Sequence, residues 1–253
     1  MKVATWNVNS IKARAEHVHR WLARQTPDIL CLQELKGLDF PHELFASLGY
    51  TALCVTQKAY NGVAILSKHA LTPVMDRLPG DDTDDQARYL EVTCQDFRIL
   101  NIYLPNGNPV ESDKYPYKFA WMDRLYDRVR SLREGRVPFM VCGDFNVIPE
   151  AEDCYNPALW SEDALFRLET REKFRAIMAL GLTDSFRVFD QTPQRYTFWD
   201  YQAGCWPKNQ GMRIDHILTS PAVTDRLISG NIDTAPRGED SPSDHTPYVI
   251  EIS

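Results

Sequence analysis

The 253-residue sequence lacks any apolar run of about 18 residues, so no transmembrane helix is predicted. Its first residues, MKVATWNVNS, contain no apolar signal-peptide core and are predicted to form a strand of a cytoplasmic protein. Its six cysteines form no CxxC pair, and Cys31 and Cys142 lie within apolar runs. This pattern favours buried free thiols over a disulfide framework or a zinc site.

An excess of positive charge is also missing, since the net charge is −7. That value argues against a protein that holds nucleic acid through overall charge. However, the segment GDDTDD (80–85) concentrates four of the acids, and further acids are candidate metal ligands. The rest of the chain is therefore near neutral and can still carry a local basic patch. The candidates for that patch are Lys58, Lys114, Lys118, Lys208 and Arg213.

Short apolar segments dominate the chain, and no low-complexity linker divides it, so one domain covering residues 1–253 is expected. Three helices are predicted from the 3.6-residue period: 10–25 with Ser10 as N-cap, 116–134, and 170–181 with Thr170 as N-cap. Many strands with a few one-faced helices favour sheets packed together with helices outside. The predicted strands are KVATWNV, DILCLQE, GVAILS, YLEVTC, FRILNIYL, PFMVCGD, RIDHILTS and TPYVIEI.

Several of these apolar strands carry polar residues at or near an end. In VPFMVCGDFN (137–146), for example, an apolar strand runs into Asp144 and Asn146. A single polar residue at a strand end is usually a turn former, so only the repetition is informative. The other residues of this pattern are Asn7, Asn9, Gln33, Glu34, Tyr103, Asn106, Asp215, His216, Asp244 and His245.

Glu34 and Asp144 directly follow strongly apolar segments, so their carboxylates are expected to be largely buried. A buried carboxylate is costly unless it is paired or binds a cation. Oxygen ligands without cysteine favour Mg²⁺ or Mn²⁺ over Zn²⁺, and Mg²⁺ commonly binds one or two carboxylates together with a substrate phosphate. His245 adds a group that titrates near neutral pH. These residues predict a metal site for a phosphate ester.

Nine segments, which occur in the same order along the chain, resemble the exonuclease III and apurinic endonuclease branch of the endonuclease–exonuclease–phosphatase superfamily. The resemblance implies a four-layer α/β sandwich, in which two mixed β-sheets lie face to face and are flanked by helices. It also implies an Mg²⁺-dependent DNA-repair hydrolase that cleaves duplex DNA at abasic sites and trims 3′ ends. The sequence does not reveal the oligomeric state, and a monomer is the default expectation. The matching segments are TWNVNS, LQELK, NGVAILSK, NIYLPNG, GDFNVIP, GLTDSFR, YTFWDY, GMRIDHIL and PSDHTP.

The resemblance also assigns roles to the polar strand ends. It makes Glu34 the main metal ligand, with Asn7, Asn9 and Asp244 close to the cation or its waters. Some relatives have Asp where this chain has Asn9. Lys36 supports this metal-binding group.

A second group would act on the phosphate and the attacking water. Asp144 and Asn146 would orient or deprotonate the water, and Tyr103 would contact the phosphate. His245, held by Asp215, would polarise the phosphate. The sequence leaves open whether Asp144 or His245 is the general base.

Substrate contacts follow from the same resemblance. Phe198, Trp199, Met212 and Ile214 would line a pocket for a sugar without a base. The segment 156–170 departs most from the family, and side chains of 160–170, chiefly Leu165 and Phe166, are expected to narrow that pocket. Other residues would contact DNA: Trp206 as a wedge, and Lys208 and Arg213 at phosphates. A position packed on the core is the alternative for Trp206. The aromatic segment YTFWDY favours this branch over the alternative, a phosphatase or phosphodiesterase of the same superfamily acting on a non-DNA ester. A DNA-binding module without activity is disfavoured because every expected polar position is filled.

Overall fold

The computed structural model describes all residues, Met1–Ser253, and contains twelve strands arranged as two mixed six-stranded sheets. The first sheet has the order β11-β12-β1-β2-β4-β3 and the second the order β5-β6-β7-β8-β10-β9. The strands are β1 Lys2–Asn7, β2 Ile29–Gln33, β3 Thr51–Val55, β4 Val63–Ser67, β5 Leu71–Met75, β6 Tyr89–Cys94, β7 Phe97–Tyr103, β8 Phe139–Asp144, β9 Thr183–Asp184, β10 Asp215–Thr219, β11 Leu227–Ile232 and β12 Tyr248–Ile252.

Helices cover the outer faces of the two sheets and complete four layers. Trp21 on the first helix packs on the first sheet beside Trp6, and Trp121 on the third helix packs on the second sheet. Between the sheets lies an apolar core that includes Ile65 and Met140. None of the helices has the length and apolar character needed to cross a membrane. The helices are α1 Ile11–Gln25, α2 His42–Ala46, α3 Lys114–Glu134, α4 Pro157–Trp160, α5 Leu168–Met178, α6 Ser185–Phe189 and α7 Pro221–Thr224.

All eight predicted strands are present, and the four that were not predicted are the four sheet edges β3, β5, β9 and β11. An edge strand has one unpaired side and needs less apolar sequence, so its pattern is weak. Pro73 lies in β5, next to a bulge between Pro73 and Met75, and proline is tolerated at such an edge. Edge position therefore explains why these strands were missed.

Two of the predicted helices agree closely with the structure. Ser10 caps α1 by accepting a hydrogen bond from the Ala13 N–H. The N-cap predicted for the helix 170–181 was wrong. The corresponding helix α5 begins at Leu168, and Thr170 lies buried within its first turn. There the Thr170 hydroxyl donates to the Ala164 carbonyl at 2.8 Å. Its hydroxyl thus ties the helix to the preceding loop.

Strand direction collects the polar ends at one edge of the sandwich. β1 and β2 are parallel, as are β7 and β8, so their carboxyl ends lie side by side. β10 runs antiparallel to β8 and starts at Asp215, which lies directly opposite Asp144. β12 runs antiparallel to β1, so the segment that carries Asp244 and His245 reaches the same edge. The topology alone brings both sheets' polar ends together.

Candidate active site

Glu34 is the most heavily hydrogen-bonded carboxylate at this edge. Its Oε1 accepts from the Tyr103 hydroxyl at 2.5 Å and from Asn7 Nδ2 at 3.2 Å. Its Oε2 forms an ion pair with Lys36 Nζ at 2.7 Å. Although burial opposes it, the Lys36 charge and these hydrogen bonds lower the pKa of Glu34. Glu34 is thus an ionised carboxylate that faces the cavity.

Asp144, Asp215 and His245 form a second, fully buried group. His245 Nδ1 lies 2.8 Å from Asp215 Oδ2, and its Nε2 lies 3.8 Å from Asp144 Oδ2. Burial opposes charging of His245, but the Asp215 charge and hydrogen bond raise its pKa to about 10. Burial raises the pKa of Asp144 to about 7. The imidazolium therefore lies between two facing acids.

The glycine of GDFN is explained by a close approach within the second sheet. Gly143 has a φ of 150°, and a Cβ there would lie 2.0 Å from the Ile102 carbonyl oxygen. Glycine is thus the residue that lets β8 pack so closely beside β7 at the catalytic edge.

Asn146 follows in the left-handed region, with a φ of 47°. Its N–H donates to Asp144 Oδ1 at 2.8 Å, and its Nδ2 donates to the Leu104 carbonyl at 2.9 Å. Its Oδ1 accepts from Asn106 Nδ2 at 3.0 Å. These bonds fix Asn146 beside Asp144.

The two remaining predicted metal-site residues contact each other. Asn9 Nδ2 donates to Asp244 Oδ1 at 3.0 Å, and Asn9 Oδ1 accepts from Lys36 Nζ. Asn7 Nδ2 donates to Asp144 Oδ2 at 2.9 Å as well as to Glu34. The structure thus brings all four predicted metal-site residues into one cluster, with the Asn9 oxygen engaged by Lys36.

A cavity of about 280 Å³ opens over these groups. One part of its lining is polar and the other is apolar. The Phe198 ring packs edge-on against the His245 ring, with centroids 4.9 Å apart, and so joins the two parts. The polar lining comprises Glu34, Tyr103, Asn106, Asn108, Asp144, Asn146, Asp163, Asp200, Asp244 and His245, and the apolar lining comprises Trp160, Leu165, Phe198, Met212 and Ile214.

Two aromatic predictions need correction. Trp199 does not line the cavity, because it is only 2% exposed and its Nε1 donates to Asn209 Oδ1 at 3.1 Å. Phe166 is not among the cavity-lining residues: it packs in the same apolar cluster as Met212 and Ile214, with the Arg171 guanidinium over its ring. Trp160, which the sequence did not single out, lines the cavity together with Leu165. The unusual segment 156–170 was the available signal, but no pattern within it identified Trp160.

Two basic candidates for DNA contact were wrong. The Arg213 side chain is 2% exposed and forms ion pairs with Asp153 and Asp184 at 2.7 and 2.8 Å. Lys118 is completely buried. The remaining candidates, Lys58, Lys114 and Lys208, are exposed.

Trp206 is half-buried in the loop that precedes β10. Its ring packs edge-on against Trp199 at 4.8 Å, and the Arg237 guanidinium lies 5.6 Å from its ring centre. The Arg237 Nη2 also donates to the Trp199 carbonyl at 3.0 Å. Trp199 and Arg237 thus hold the Trp206 side chain in place, and the insertion of Trp206 into DNA stays a prediction.

The face-to-face sheets, with carboxylates, amides and an Asp-supported histidine at one edge, define a hydrolase of phosphate esters. The chain matches the Endonuclease/Exonuclease/phosphatase family over residues 4–245 and belongs to it.

Relatives specify the branch. The chain is 30% identical over 266 residues to Exodeoxyribonuclease III of Haemophilus influenzae, with both chains fully covered. The solved 3′ phosphatase NExo from Neisseria, bound to a product DNA hairpin, is 38% identical, with a TM-score of 0.96 and coverage of 100% of this chain and 99% of that one. An AP endonuclease from Archaeoglobus fulgidus is 34% identical, with the same TM-score and the same coverage. The resemblance read from the motifs is confirmed, and the protein is a hydrolytic nuclease of the exonuclease III and AP endonuclease branch.

Proposed function

We propose that this nuclease repairs duplex DNA by hydrolysing phosphate esters at abasic sites and at 3′ ends, with Mg²⁺ as cofactor and Mn²⁺ as a substitute. The observation that carries the proposal is the divided cavity. Its polar part suits a phosphate, and its apolar part, with Phe198, Met212 and Ile214, suits a sugar that has no base. The names of its relatives, an exodeoxyribonuclease, a 3′ phosphatase and an AP endonuclease, support the same substrates.

The donor set fits a hard divalent cation. The cavity edge holds the carboxylates of Glu34, Asp144, Asp215 and Asp244, against which His245 and Lys36 supply the neighbouring positive charges. A surplus of negative charge therefore remains for a cation. Glu34 would be its main ligand, with the oxygens of Asn7, Asn9 and Asp244 close to it or its waters.

The bound cation would neutralise charge on the phosphate and on the leaving oxygen. The protein's own groups would do the rest. Asp144, with a pKa of about 7, would accept the proton of the attacking water, and Asn146 would orient that water. His245, kept protonated by Asp215, would donate a hydrogen bond to the charge that develops on the phosphate. Tyr103 would contact the phosphate from the Glu34 side.

The balance between the two DNA substrates depends on the cavity wall. Trp160 and Leu165 of segment 156–170 line the same cavity as Phe198, Met212 and Ile214, where they would narrow the space for an internal abasic sugar. A 3′-terminal group can enter without a following nucleotide. We therefore propose that 3′-end cleaning is the stronger activity and internal abasic cleavage the weaker one.

The test compares four substrates with the same protein preparation. These are a duplex with an internal abasic analogue, a nicked duplex with a 3′-phosphate, an intact duplex and an inositol phosphate. Each is assayed with Mg²⁺ and with EDTA, beside Glu34→Gln as the inactive control. We expect Mg²⁺-dependent release of inorganic phosphate from the 3′-phosphate duplex, at a higher rate than cleavage of the abasic duplex. Turnover of the inositol phosphate with no DNA cleavage would replace this proposal with the phosphatase alternative.

We also propose that the enzyme acts as a monomer, since each residue assigned a role above lies at one edge of a single chain's fold. The six cysteines are unpaired, which agrees with a proposed role in the reducing cytoplasm. Size-exclusion chromatography during turnover conditions would detect an obligatory oligomer.

A further inference from the structure

Lys118 is a buried cation in a position where no carboxylate accepts its hydrogen bonds. It lies on α3, about one turn before the apolar residue Met122 and two turns before Leu125, and has no exposed surface. Burial lowers its pKa to about 7, against the opposing charges of Asp163 and Asp144. A cation in such a place needs other acceptors.

Those acceptors are three backbone carbonyl groups. Lys118 Nζ donates to the carbonyl oxygens of Asn106 at 3.0 Å, Asn146 at 2.6 Å and Ala164 at 3.1 Å. An ammonium group has three N–H donors, so each donor has one acceptor. A neutral amine would leave one of these carbonyls without a donor, and the arrangement therefore suits the charged form.

The three carbonyls belong to three separate loops that form the cavity. The first loop supplies Asn106 and Asn108 to the lining, the second supplies Asp144 and Asn146, and the third supplies Leu165. At Gly107, the first loop lies against the lysine stem so tightly that a Cβ there would be 2.8 Å from Lys118 Cδ. Lys118 is thus the point at which the three loops meet.

We propose that Lys118 is a positioning residue of the nuclease, which holds the Asp144–Asn146 loop and both cavity walls in their catalytic arrangement. Lys118 fixes the Asn146 carbonyl, while the Asn146 N–H bonds to Asp144 Oδ1 at 2.8 Å. Hydrogen bonds therefore hold both peptide groups that flank the Asn146 Cα. Without the ammonium, the carbonyl loses its buried donor and Asn146 can rotate away from Asp144.

The test is the substitution Lys118→Met, which keeps the length of the side chain and removes the charge and the donors. The inference rests on the proposed nuclease function, so bis(p-nitrophenyl) phosphate is assayed beside the 3′-phosphate duplex. A misplaced catalytic loop should lower kcat about 10- to 100-fold on both substrates. KM for the small ester should change by less than about threefold, since it uses little of the cavity.

Leu125→Ala is the matched control, because Leu125 is buried on the same helix, seven residues after Lys118, and its apolar side chain donates no hydrogen bond to the three loop carbonyls. It should lose thermal stability and keep kcat at temperatures where it is folded. Hydrogen exchange of the peptide 143–149 should quicken in Lys118→Met and not in Leu125→Ala. If Lys118→Met does not fold, Lys118→Gln, which retains two donors, is judged by the same criteria.

A second measurement asks whether the ammonium itself is needed. In Lys118→Ala, propylammonium should restore part of kcat with saturation, and 1-propanol should not. An active native enzyme with undiminished kcat in Lys118→Met, or rescue by 1-propanol as well, would overturn the positioning role. If the native protein hydrolyses the small ester but neither the 3′-phosphate duplex nor the abasic duplex, the proposed function is contradicted. The comparison of Lys118→Met with native protein on the small ester would still test the positioning role.

Discussion

Substitution of Asp215 by Asn should make the activity depend on pH in a way that identifies the role of His245. In the native protein, the Asp215 charge and hydrogen bond hold the pKa of His245 at about 10, so the imidazole is protonated at pH 8. Asp215→Asn removes that charge while keeping the shape. Burial then lowers the pKa, the charges of Asp144 and Asp244 raise it, and a value near the ordinary 6.5 is expected.

The size of the effect follows from the protonated fraction. With a pKa near 6.5, about 3% of His245 would carry a proton at pH 8, which corresponds to a roughly 30-fold loss of rate beyond any effect on orientation. At pH 6 about three quarters would be protonated, so most of that loss would disappear. The native-to-variant ratio of kcat should therefore fall about 25-fold between pH 8 and pH 6.

The assay measures kcat on the 3′-phosphate duplex from pH 6 to pH 8 at saturating Mg²⁺ and constant ionic strength. Glu91→Gln is the matched control, since Glu91 is a buried acid paired with Arg98 and Arg128 under α3, away from the cavity. Its native-to-variant ratio should not change with pH. An Asp215→Asn variant that is equally impaired at both pH values, or more active than native at pH 8, would refute the reasoning. The second outcome would make His245 the general base.

Other substitutions test the metal site, the sugar pocket and the wedge. Glu34→Gln should raise the Mg²⁺ concentration needed for half-maximal rate and lower the rate about 100-fold or more, with unchanged circular dichroism. Phe198→Ala should reduce the preference for abasic over intact DNA about tenfold, because an apolar contact is worth that much in discrimination, whereas an unchanged rate ratio would exclude Phe198 from the pocket. Trp206→Ala should weaken abasic-duplex binding roughly 10- to 100-fold without slowing hydrolysis of bis(p-nitrophenyl) phosphate. A much lower melting temperature with loss of both activities would make Trp206 a core residue instead.

The sequence predicted the site best where a carboxylate ends an apolar strand, because a buried carboxylate is stable in few environments. Glu34 and Asp144 follow buried strands, and such acids require a partner, so their convergence could be anticipated. Their actual partners could not, because which strands are neighbours depends on the sheet order. The edge strands could not be found either, since one unpaired side removes the demand for apolar residues.

The periodicities of strands and helices would have prevented the errors over Arg213 and Lys118. In extended backbone, adjacent side chains point to opposite faces, so a cavity position for Met212 and Ile214 already directs Arg213 away from it. Trp199 follows Phe198 and is excluded for the same reason. Lys118 lies four residues before Met122, on the face of α3 that packs on the sheet. Trp160, by contrast, ends the four-residue helix α4, whose direction is set by tertiary contacts.

The catalytic groups depend on the relative position of the two sheets, because two of the pairs at the site have one member in each sheet. Glu34 and Asn7 come from the first sheet, and they bond Tyr103 and Asp144 of the second. Below them, Asn101 on β7 donates across the interface to two backbone carbonyls of the first sheet, at 3.0 and 2.8 Å.

An apolar interface can slide at little cost, since hydrophobic contact has no direction, whereas a buried amide loses its bonds if the sheets shift. Asn101 also accepts from Gln33 Nε2 at 2.7 Å, one residue before Glu34. The polar residues within the core therefore fix the sheet-to-sheet position on which the catalytic distances depend. That is a physical reason for burying amides where an apolar side chain would pack as well.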